Sequence, residues 1–232
     1  MWNGQLRHAL AHFGARRLAA GVPILLARIG ADDQEIGLTM LDLFDTPVLP
    51  GIAVRPDFVT AVEEPALIAA IDSTGLAPFR FQRWTGKRLT HSFGWSYDFQ
   101  TGTLSRGDPL PDWLLPIRAR AAAVAGLAPE ALVQALLIRY DPGAGIGWHK
   151  DRPIYEHVIG ISLGAPADMR FRRRDGDGWH RTTMPLQPRG LYHLSGEARH
   201  EWEHSIADTA RTRWSITMRS FSDRGHQLAG QV

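Results

Sequence analysis

The second half of the chain is a succession of short segments that each fit a β-strand. They are rich in β-branched and aromatic residues, and Gly, Pro or Asp turns separate them. The segments are LVQALLIRY (132–140), EHVIGISLG (156–164), DMRFRRR (168–174), GWHRTTM (178–184), RGLYHLS (189–195) and RWSITMRSF (213–221). Asp-Gly repeats between the third and fourth segments predict a hairpin. Because no long helix separates these strands, the sequence predicts an antiparallel barrel or sandwich, of which a jelly-roll barrel fits best.

Two helices are predicted ahead of these strands. PALIAAIDSTG has Pro65 in its first turn and Gly75 beyond its end. DWLLPIRARAAAVAG has Asp112 as N-cap and Gly126 as its stop, with an irregular start at Pro116. The predicted fold class is therefore mainly β (α+β), with these N-terminal helices packed outside the barrel.

Within the 232 residues, we expect one substantial domain at 47–222, preceded by an extension at 1–46 and followed by a tail at 223–232. Residues 1–39 hold four arginines and no acid before Asp32. A targeting peptide has this character, but we interpret the segment as a poorly ordered or helical extension without a catalytic role. No apolar run approaches the roughly 20 residues of a membrane span. We expect a cytoplasmic monomer that does not enter a membrane.

The absence of cysteine restricts the chemistry of the chain. It excludes disulfides, thiolate ligands and cysteine nucleophiles, so a bound metal must be held by His, Asp, Glu or water. The segment GWHKD places His149 and Asp151 two positions apart, and on one strand both side chains would share a face. With ten histidines in the chain, such a pair also arises by chance. A non-haem Fe(II) site needs a second histidine. The downstream candidates are His157, His180, His193, His200 and His204.

The last predicted strand alternates between two kinds of residue. Trp214, Ile216 and Met218 form an apolar face, while the other face carries Arg213, Ser215, Thr217 and Arg219. The polar face fits a solvated surface strand. It equally fits a binding role, because arginines six positions apart stand about 20 Å apart along a strand and reach toward each other around a short dicarboxylate.

Taken together, His149-x-Asp151, His204 and the two arginines resemble the Fe(II)- and 2-oxoglutarate-dependent dioxygenases of the AlkB type, which repair or edit alkylated nucleic-acid bases. The resemblance covers about 47–221, with RYDPGAGIGWHKD, ISLG, LSGEARHEWEHSI and RWSITMRSF in the family order. It implies a double-stranded β-helix, a jelly-roll barrel, in agreement with the strand pattern. It also implies Fe(II) held by His149, Asp151 and His204, and 2-oxoglutarate held by Tyr140, Arg213, Ser215 and Arg219.

Three positions depart from the family pattern. Ile138 stands where the family often has the asparagine of an Asn-x-Tyr motif, and Ser215 where the last strand often carries asparagine. Pro153 stands where some members have an acid that touches the alkylated base. The resemblance therefore implies fewer or rearranged cosubstrate contacts and a different route to base recognition.

The implied reaction is oxidative demethylation of N-alkylated bases in DNA or RNA, with O2 as cosubstrate and release of formaldehyde, succinate and CO2. Residues 80–99, RFQRWTGKRLTHSFGWSYDF, interleave cations with aromatic rings. That pattern suits phosphates and unstacked bases, or a solvated hairpin whose rings pack on the domain. We predict substrate contacts at Arg83, Trp84, Phe93 and Tyr97. The alternatives are the same oxygenase chemistry on a protein or small molecule, and a binding module without metal.

Overall fold

A computed structural model describes residues 48–81, 84–97 and 102–231. The predicted extension 1–46 and Arg83 lie outside the described residues, as does the side chain of Trp84. Within the described ranges the chain forms twelve strands: β1 (Ile52–Arg55), β2 (Ala77–Phe81), β3 (Trp84–Tyr97), β4 (Leu104–Arg106), β5 (Leu132–Tyr140), β6 (Ile146–His149), β7 (Tyr155–Gly164), β8 (Ala167–Asp175), β9 (Gly178–Leu186), β10 (Leu191–Leu194), β11 (Glu203–Ile206) and β12 (Arg213–Phe221). The α-helices of these ranges are α1 (Glu63–Asp72), α2 (Leu115–Val124), α3 (Gly196–His200) and α4 (Asp223–Ala229), and single 3₁₀ turns occur at Asp112–Leu114 and Pro129–Ala131.

The strands form two antiparallel sheets. The large sheet has the order β1-β10-β7-β12-β5-β3-β2, with β4 paired to β3, and the small sheet has the order β6-β11-β8-β9. The predicted hairpin joins β8 to β9, and Gly176 in its turn has a φ of +55°, which glycine adopts without strain. The strand predicted at 213–221 is β12, in the middle of the large sheet.

Apolar side chains join the two sheets and cover the back of the large one. Between the sheets, Val158 and Leu194 of the large sheet pack with Phe171 and Met184 of the small sheet. On the other face of the large sheet, α1 and α2 pack against β12, where Ile216 is fully buried. Each such side chain contributes about 1.5–3 kcal/mol by leaving water. The mainly β jelly-roll fold with helices outside the barrel is therefore confirmed.

The helix N-termini differ in how they are capped. At α1, the backbone N–H of Thr60 donates to the Glu63 carboxylate (2.8 Å), and the N–H of Glu63 donates to the Thr60 hydroxyl (3.1 Å). This reciprocal pair is a capping box. The backbone N–H of Thr60 and the guanidinium of Arg120 lower the pKa of Glu63 to about 2. The prediction of Asp112 as the N-cap of α2 is wrong: a 3₁₀ turn comes first, α2 begins at Leu115, and no side chain caps it.

The expectation that the second half of the chain is a succession of strands is wrong for the segments that form α3 and α4. Both helices are short, and α4 lies within the predicted tail, where the Ser222 hydroxyl accepts a hydrogen bond from the N–H of Gly225 (3.3 Å). The short strands β6 and β11 also went unpredicted. No helix in the described part of the chain is both long and apolar enough to cross a membrane.

Candidate metal centre and its surroundings

His149 and His204 meet because strands β6 and β11 pair in antiparallel register. The two residues lie directly opposite each other, and opposite residues of an antiparallel pair project from the same face. Their ring centroids are 4.3 Å apart. The Nδ1 of His149 donates to the carbonyl of Gly147 (2.9 Å), because a carbonyl can only accept, and this leaves Nε2 of that ring with a free lone pair.

Asp151 completes the group, but by a different geometry from the one predicted. β6 ends at His149, so Asp151 is not the next residue on the same strand face. It lies in the turn that follows, where Arg219 of β12 holds its carboxylate through Nε and Nη2, both at 2.8 Å. One ligand atom from each of His149, Asp151 and His204 lies within 4.8 Å of the others. The structure thus brings together the three residues that the sequence pattern selected.

Burial sets the protonation of this triad. Burial is the largest influence on both histidines: it lowers the pKa of His149 and brings that of His204 to about 3. Burial alone would raise the pKa of Asp151, but Arg219 and the two histidines hold it well below its usual range. Two neutral imidazoles and one carboxylate therefore face one point at neutral pH, so the 3.6 Å approach of His204 to Asp151 is not an ion pair. This is the donor set of non-haem Fe(II) sites.

A line of hydrogen bonds connects the triad to strand β3. Arg219 donates to Asp151 and, through Nη1, to the side-chain oxygen of Gln134 (3.0 Å). The amide nitrogen of Gln134 in turn donates to the hydroxyl of Ser92 (3.2 Å). Gln134 was not predicted as a site residue, because its role depends on the pairing of β5 with both β3 and β12. Arg219, predicted as a cosubstrate ligand, is already bonded to the metal-site carboxylate.

Arg213 has a buried guanidinium with few hydrogen-bond partners. Its side chain is 1% exposed, Nη2 donates to Ser162 (3.1 Å), and Nε and Nη1 have no partner among the described residues. The guanidinium lies 4.9 Å from the centre of the Tyr140 ring, and Tyr140 is the cross-strand neighbour of Arg213. Ser215 is also buried and lies opposite Ser162. The polar face of β12 therefore points into the barrel, and the surface-strand interpretation is wrong.

Tyr192 is a barrel residue that the sequence analysis missed. Its ring lies so close to Gly160 that a Cβ on that glycine would stand 2.1 Å from the Tyr192 Cζ. Burial raises the pKa of Tyr192 well above its ordinary value, and the charges of Arg213 and Asp151 act on it. A glycine inside an apolar strand is a signal of such a close approach, and VIGIS contains one.

The predicted substrate residues lie in different environments. Phe93 packs with the helix-covered core, on the face of β3 that points away from the barrel, and its role as a base-contacting residue stays a prediction. Alternation along β3 sends Ser92 inward and Phe93 outward. Tyr97 lies under the guanidinium of Arg152 (4.3 Å), beside Asp151 in sequence. Tyr97 stays a prediction.

The remaining candidate histidines have other partners. His157 and His193 are hydrogen-bonded to each other, Nδ1 to Nε2, at 2.9 Å. His200 contacts Glu156 at 2.9 Å, and the His180 ring packs edge-on against Trp202. Within the described residues only His204 joins the triad.

Comparison with known proteins agrees with this geometry. Residues 72–224 match the family model of the 2OG-Fe(II) oxygenase superfamily, which is more than half of the chain. The chain therefore belongs to the 2OG-Fe(II) oxygenase superfamily, and within it is AlkB-like.

Several relatives show the AlkB likeness. The chain is 30% identical over 184 residues to "Alkylated DNA repair protein ALKBH8 homolog" of Arabidopsis thaliana, and 27% identical over 166 residues to "tRNA (carboxymethyluridine(34)-5-O)-methyltransferase ALKBH8" of Mus musculus. Each alignment uses 68% of this chain but only 51% and 24% of those proteins. "Probable RNA/DNA demethylase ALKBH6" of Danio rerio is 28% identical, with 53% of this chain and 51% of that protein covered. The chain thus spans about half or less of these relatives.

Solved structures confirm the fold. The structure of OsALKBH1 superposes with a TM-score of 0.59 at 15% identity, covering 74% of this chain and 97% of that one. A 2OG-Fe(II) oxygenase-family oxidoreductase from Burkholderia pseudomallei gives a TM-score of 0.55 at 17% identity, covering 74% and 85%.

The described residues fit the cofactors of the superfamily. His149, Asp151 and His204 supply the neutral-imidazole and carboxylate donors that Fe(II) takes. Buried Arg213 has Nε and Nη1 without partners among the described residues, so its guanidinium has N–H groups left for a carboxylate, which 2-oxoglutarate supplies. The chain therefore has the metal and cosubstrate residues of a 2-oxoglutarate-dependent dioxygenase, a class in which O2 oxidises a substrate while 2-oxoglutarate is converted to succinate and CO2.

Proposed function

We propose that this dioxygenase oxidatively demethylates N-alkylated bases in DNA or RNA and releases formaldehyde. Because the iron supplies the reactivity, the role of the protein is to position the reactants and to exclude water. His149 and His204 hold the metal from one sheet, and Arg219 orients the third ligand from the other. The relatives that carry DNA repair, tRNA or RNA/DNA demethylase in their names support a nucleic-acid substrate.

The structural observation that carries the nucleic-acid part is a row of stacked side chains on the outer face of the small sheet. The guanidiniums of Arg170 and Arg172 lie 5.3 and 4.4 Å from the ring centre of Trp148. Those of Arg172 and Arg174 lie 4.1 and 4.3 Å from the ring centre of Trp179. We name this row of five residues the arginine–tryptophan ladder. Each ring therefore lies beside two cations.

The ladder presents positive charge in a fixed orientation. Stacking on a tryptophan holds the plane of a guanidinium while leaving its N–H edges free for phosphate oxygens. Arg172 is partly neutralised by Glu203 (2.6 Å), but Arg174 is exposed and pairs with no acid among the described residues. Exposed Arg181 lies opposite Arg172 on β9 and adds to the charge. Phosphate contacts of this kind dominate nucleic-acid affinity.

A panel of oligonucleotides tests the proposal. Methylated and unmethylated DNA, RNA and tRNA are incubated with enzyme, Fe(II), 2-oxoglutarate and O2, and formaldehyde and succinate are measured. At least one methylated member is expected to yield both products in equal amounts, and His204→Ala is expected to yield neither. If 2-oxoglutarate is consumed but no oligonucleotide stimulates its consumption, the nucleic-acid proposal is wrong, and a protein or small-molecule substrate takes its place.

The ladder has its own test. We expect Arg174→Gln to weaken oligonucleotide binding equally for all sequences and to reduce the slope of log affinity against log salt by about 1. The matched control is Arg139→Gln. Arg139 is half-buried, lies in the large sheet and is ion-paired with Asp141 (2.9 Å), so its loss should leave the salt slope unchanged.

A further inference from the structure

Arg88 is a buried arginine without a charged partner among the described residues; the others are Arg213 and Arg199, and Arg199 donates to the backbone carbonyls of Arg152 and Tyr155. It is 8% exposed, and its Nε has no hydrogen-bond partner among the described residues. The pairing of Leu89 with Arg139 and of Thr90 with Ile138 sets Arg88 beside Tyr140, on the face that points into the barrel. Its guanidinium rests on the Phe79 ring at 4.1 Å. No acidic side chain in the described ranges forms an ion pair with it.

Arg88 lies beside Tyr140, and its charge acts on the metal site. Its charge contributes to the lowered pKa of His149, and Arg219 and Tyr140 act on its own charge. Arg88 and Arg213 flank Tyr140 from the two neighbouring strands, β3 and β12. Tyr140 therefore has a buried arginine on each side.

No negative charge in the site balances the positive charge of Arg88. Arg219 is matched by Asp151. Fe(II) brings two positive charges and 2-oxoglutarate two negative ones, so their joint binding leaves the excess of arginine over carboxylate unchanged. An arginine does not lose its proton to escape burial, and a buried unpaired charge costs free energy until an anion pairs with it. Burial accordingly lowers the pKa of Arg88. The missing anion is therefore expected from the remaining component of the reaction, the substrate.

We propose that Arg88 determines specificity by pairing with an anionic oxygen of the substrate, close to the carbon that is oxidised. This inference rests on the proposed nucleic-acid substrate. Two parts of a nucleotide offer such an oxygen: a carboxylate carried by the base, and the phosphate of the target nucleotide.

The test uses Arg88→Met, which removes the charge and keeps the length, and Arg88→Lys, which keeps the charge without the fork. The cofactor-binding readout is the 2-oxoglutarate affinity of the Fe(II)-loaded protein, measured anaerobically from its charge-transfer absorbance. Arg88→Met is expected to leave that affinity unchanged. With an anionic substrate it is expected to lower kcat/KM about 10- to 100-fold, the size of a lost buried hydrogen bond to a charged group. The kcat/KM of Arg88→Lys with the anionic substrate should lie between those of the wild type and Arg88→Met.

Matched oligonucleotides distinguish the two sources of the anion. In one arm a carboxylate on the base is replaced by its methyl ester. In the other, the target phosphate is replaced by a methylphosphonate. The penalty of Arg88→Met should disappear in the arm that removes the partner oxygen. A penalty of equal size in both neutral arms, or a loss of 2-oxoglutarate affinity as large as that of Arg213→Met, would overturn the proposal.

A substrate-free measurement separates this inference from the proposed function. Sulfate is added to the anaerobic Fe(II)–2-oxoglutarate complex, and its effect on the melting temperature is compared for wild type, Arg88→Met and the control Arg139→Gln, whose arginine is already ion-paired with Asp72 and Asp141. The anion site predicts that only Arg88→Met loses part of the sulfate stabilisation. It also predicts a higher melting temperature for Arg88→Met without sulfate. If no oligonucleotide is a substrate, these results support an anionic substrate of another class. A sulfate effect that is unchanged in Arg88→Met refutes the anion site.

Discussion

Replacing Arg213 by methionine should make the ligand-free protein more stable and the cosubstrate complex weaker. The guanidinium is 1% exposed and has one hydrogen bond, to Ser162, so most of its desolvation is uncompensated until a carboxylate binds. Exchange of a buried ion pair for apolar groups of similar volume stabilises by up to about 1–4 kcal/mol, and the charge removed here has no ionic partner to lose among the described residues. At this chain length, 1 kcal/mol corresponds to about 2–4 °C in melting temperature. The metal-free variant should therefore melt at least about 2 °C higher.

The same change should weaken 2-oxoglutarate binding. Removal of one partner of a buried, hydrogen-bonded charge pair costs about 2–5 kcal/mol, which is a rise in Kd of about 30-fold to several thousand-fold. Anaerobic titration of the Fe(II)-loaded protein with 2-oxoglutarate measures this Kd. Thermal unfolding of the metal-free protein measures the stability.

Arg139→Gln is the control, because Arg139 precedes Tyr140 in the adjacent strand but is half-buried and ion-paired with Asp72 and Asp141. It should change stability by less than about 1 kcal/mol and leave the Kd unchanged. If Arg213→Met lowers the melting temperature and leaves 2-oxoglutarate affinity intact, the guanidinium is a structural element and the assignment of the cosubstrate to it is refuted.

Three further predictions concern the triad, the barrel interior and the first helix. His204→Ala removes a protein ligand and should cost more Fe(II) affinity than the about 10–100-fold loss seen when an outer-shell partner is removed, measured by anaerobic metal titration. Gly160→Ala must displace Tyr192 and should destabilise by about 1–3 kcal/mol in urea unfolding, whereas Gly147→Ala, where nothing lies within 4 Å of the new Cβ, should not. Glu63 has a folded pKa of about 2, below its unfolded value, so its stabilisation is present above about pH 4.5 and is lost as the pH falls toward 2. Glu63→Gln should therefore destabilise at pH 7, and unfolding curves of variant and wild type should converge near pH 2.

The sequence predicted β12 with its observed bounds, because a period of two is strongest where a strand has two chemically different faces. It did not predict which way the polar face points. That direction depends on β12 pairing with β5 and β7, strands that lie some fifty or more positions earlier in the chain. Period alone cannot distinguish a polar face in water from one inside a barrel.

Residues on β3 and β10 show a second kind of feature that could not be predicted from the sequence. Interleaved cations and aromatic rings at 80–99 suggested Phe93 as a substrate residue, but only the register with β5 reveals that Phe93 faces the helices and Arg88 faces the barrel. Tyr192 owes its place in the site to the space beside Gly160. The triad could be predicted because His149-x-Asp151, His204 and the two arginines resemble the AlkB-type pattern; the residue types alone left five downstream histidines as candidates. The residues around it could not, because strand register brings them together from distant positions.

The position of β12 has a consequence for how the protein is made. β12 lies between β7 and β5 in the large sheet, yet Arg213–Phe221 is the last strand of the described chain to be synthesised. Until it leaves the ribosome, β7 and β5 each lack a neighbour on an apolar inner edge and are open to pairing with other chains. Arg213 and Arg219 arrive with it, so the cosubstrate pocket and the support of Asp151 are completed by the same event that closes the sheet. A chain interrupted shortly before residue 213 would lose a central strand rather than an edge, and with it both the fold and the site.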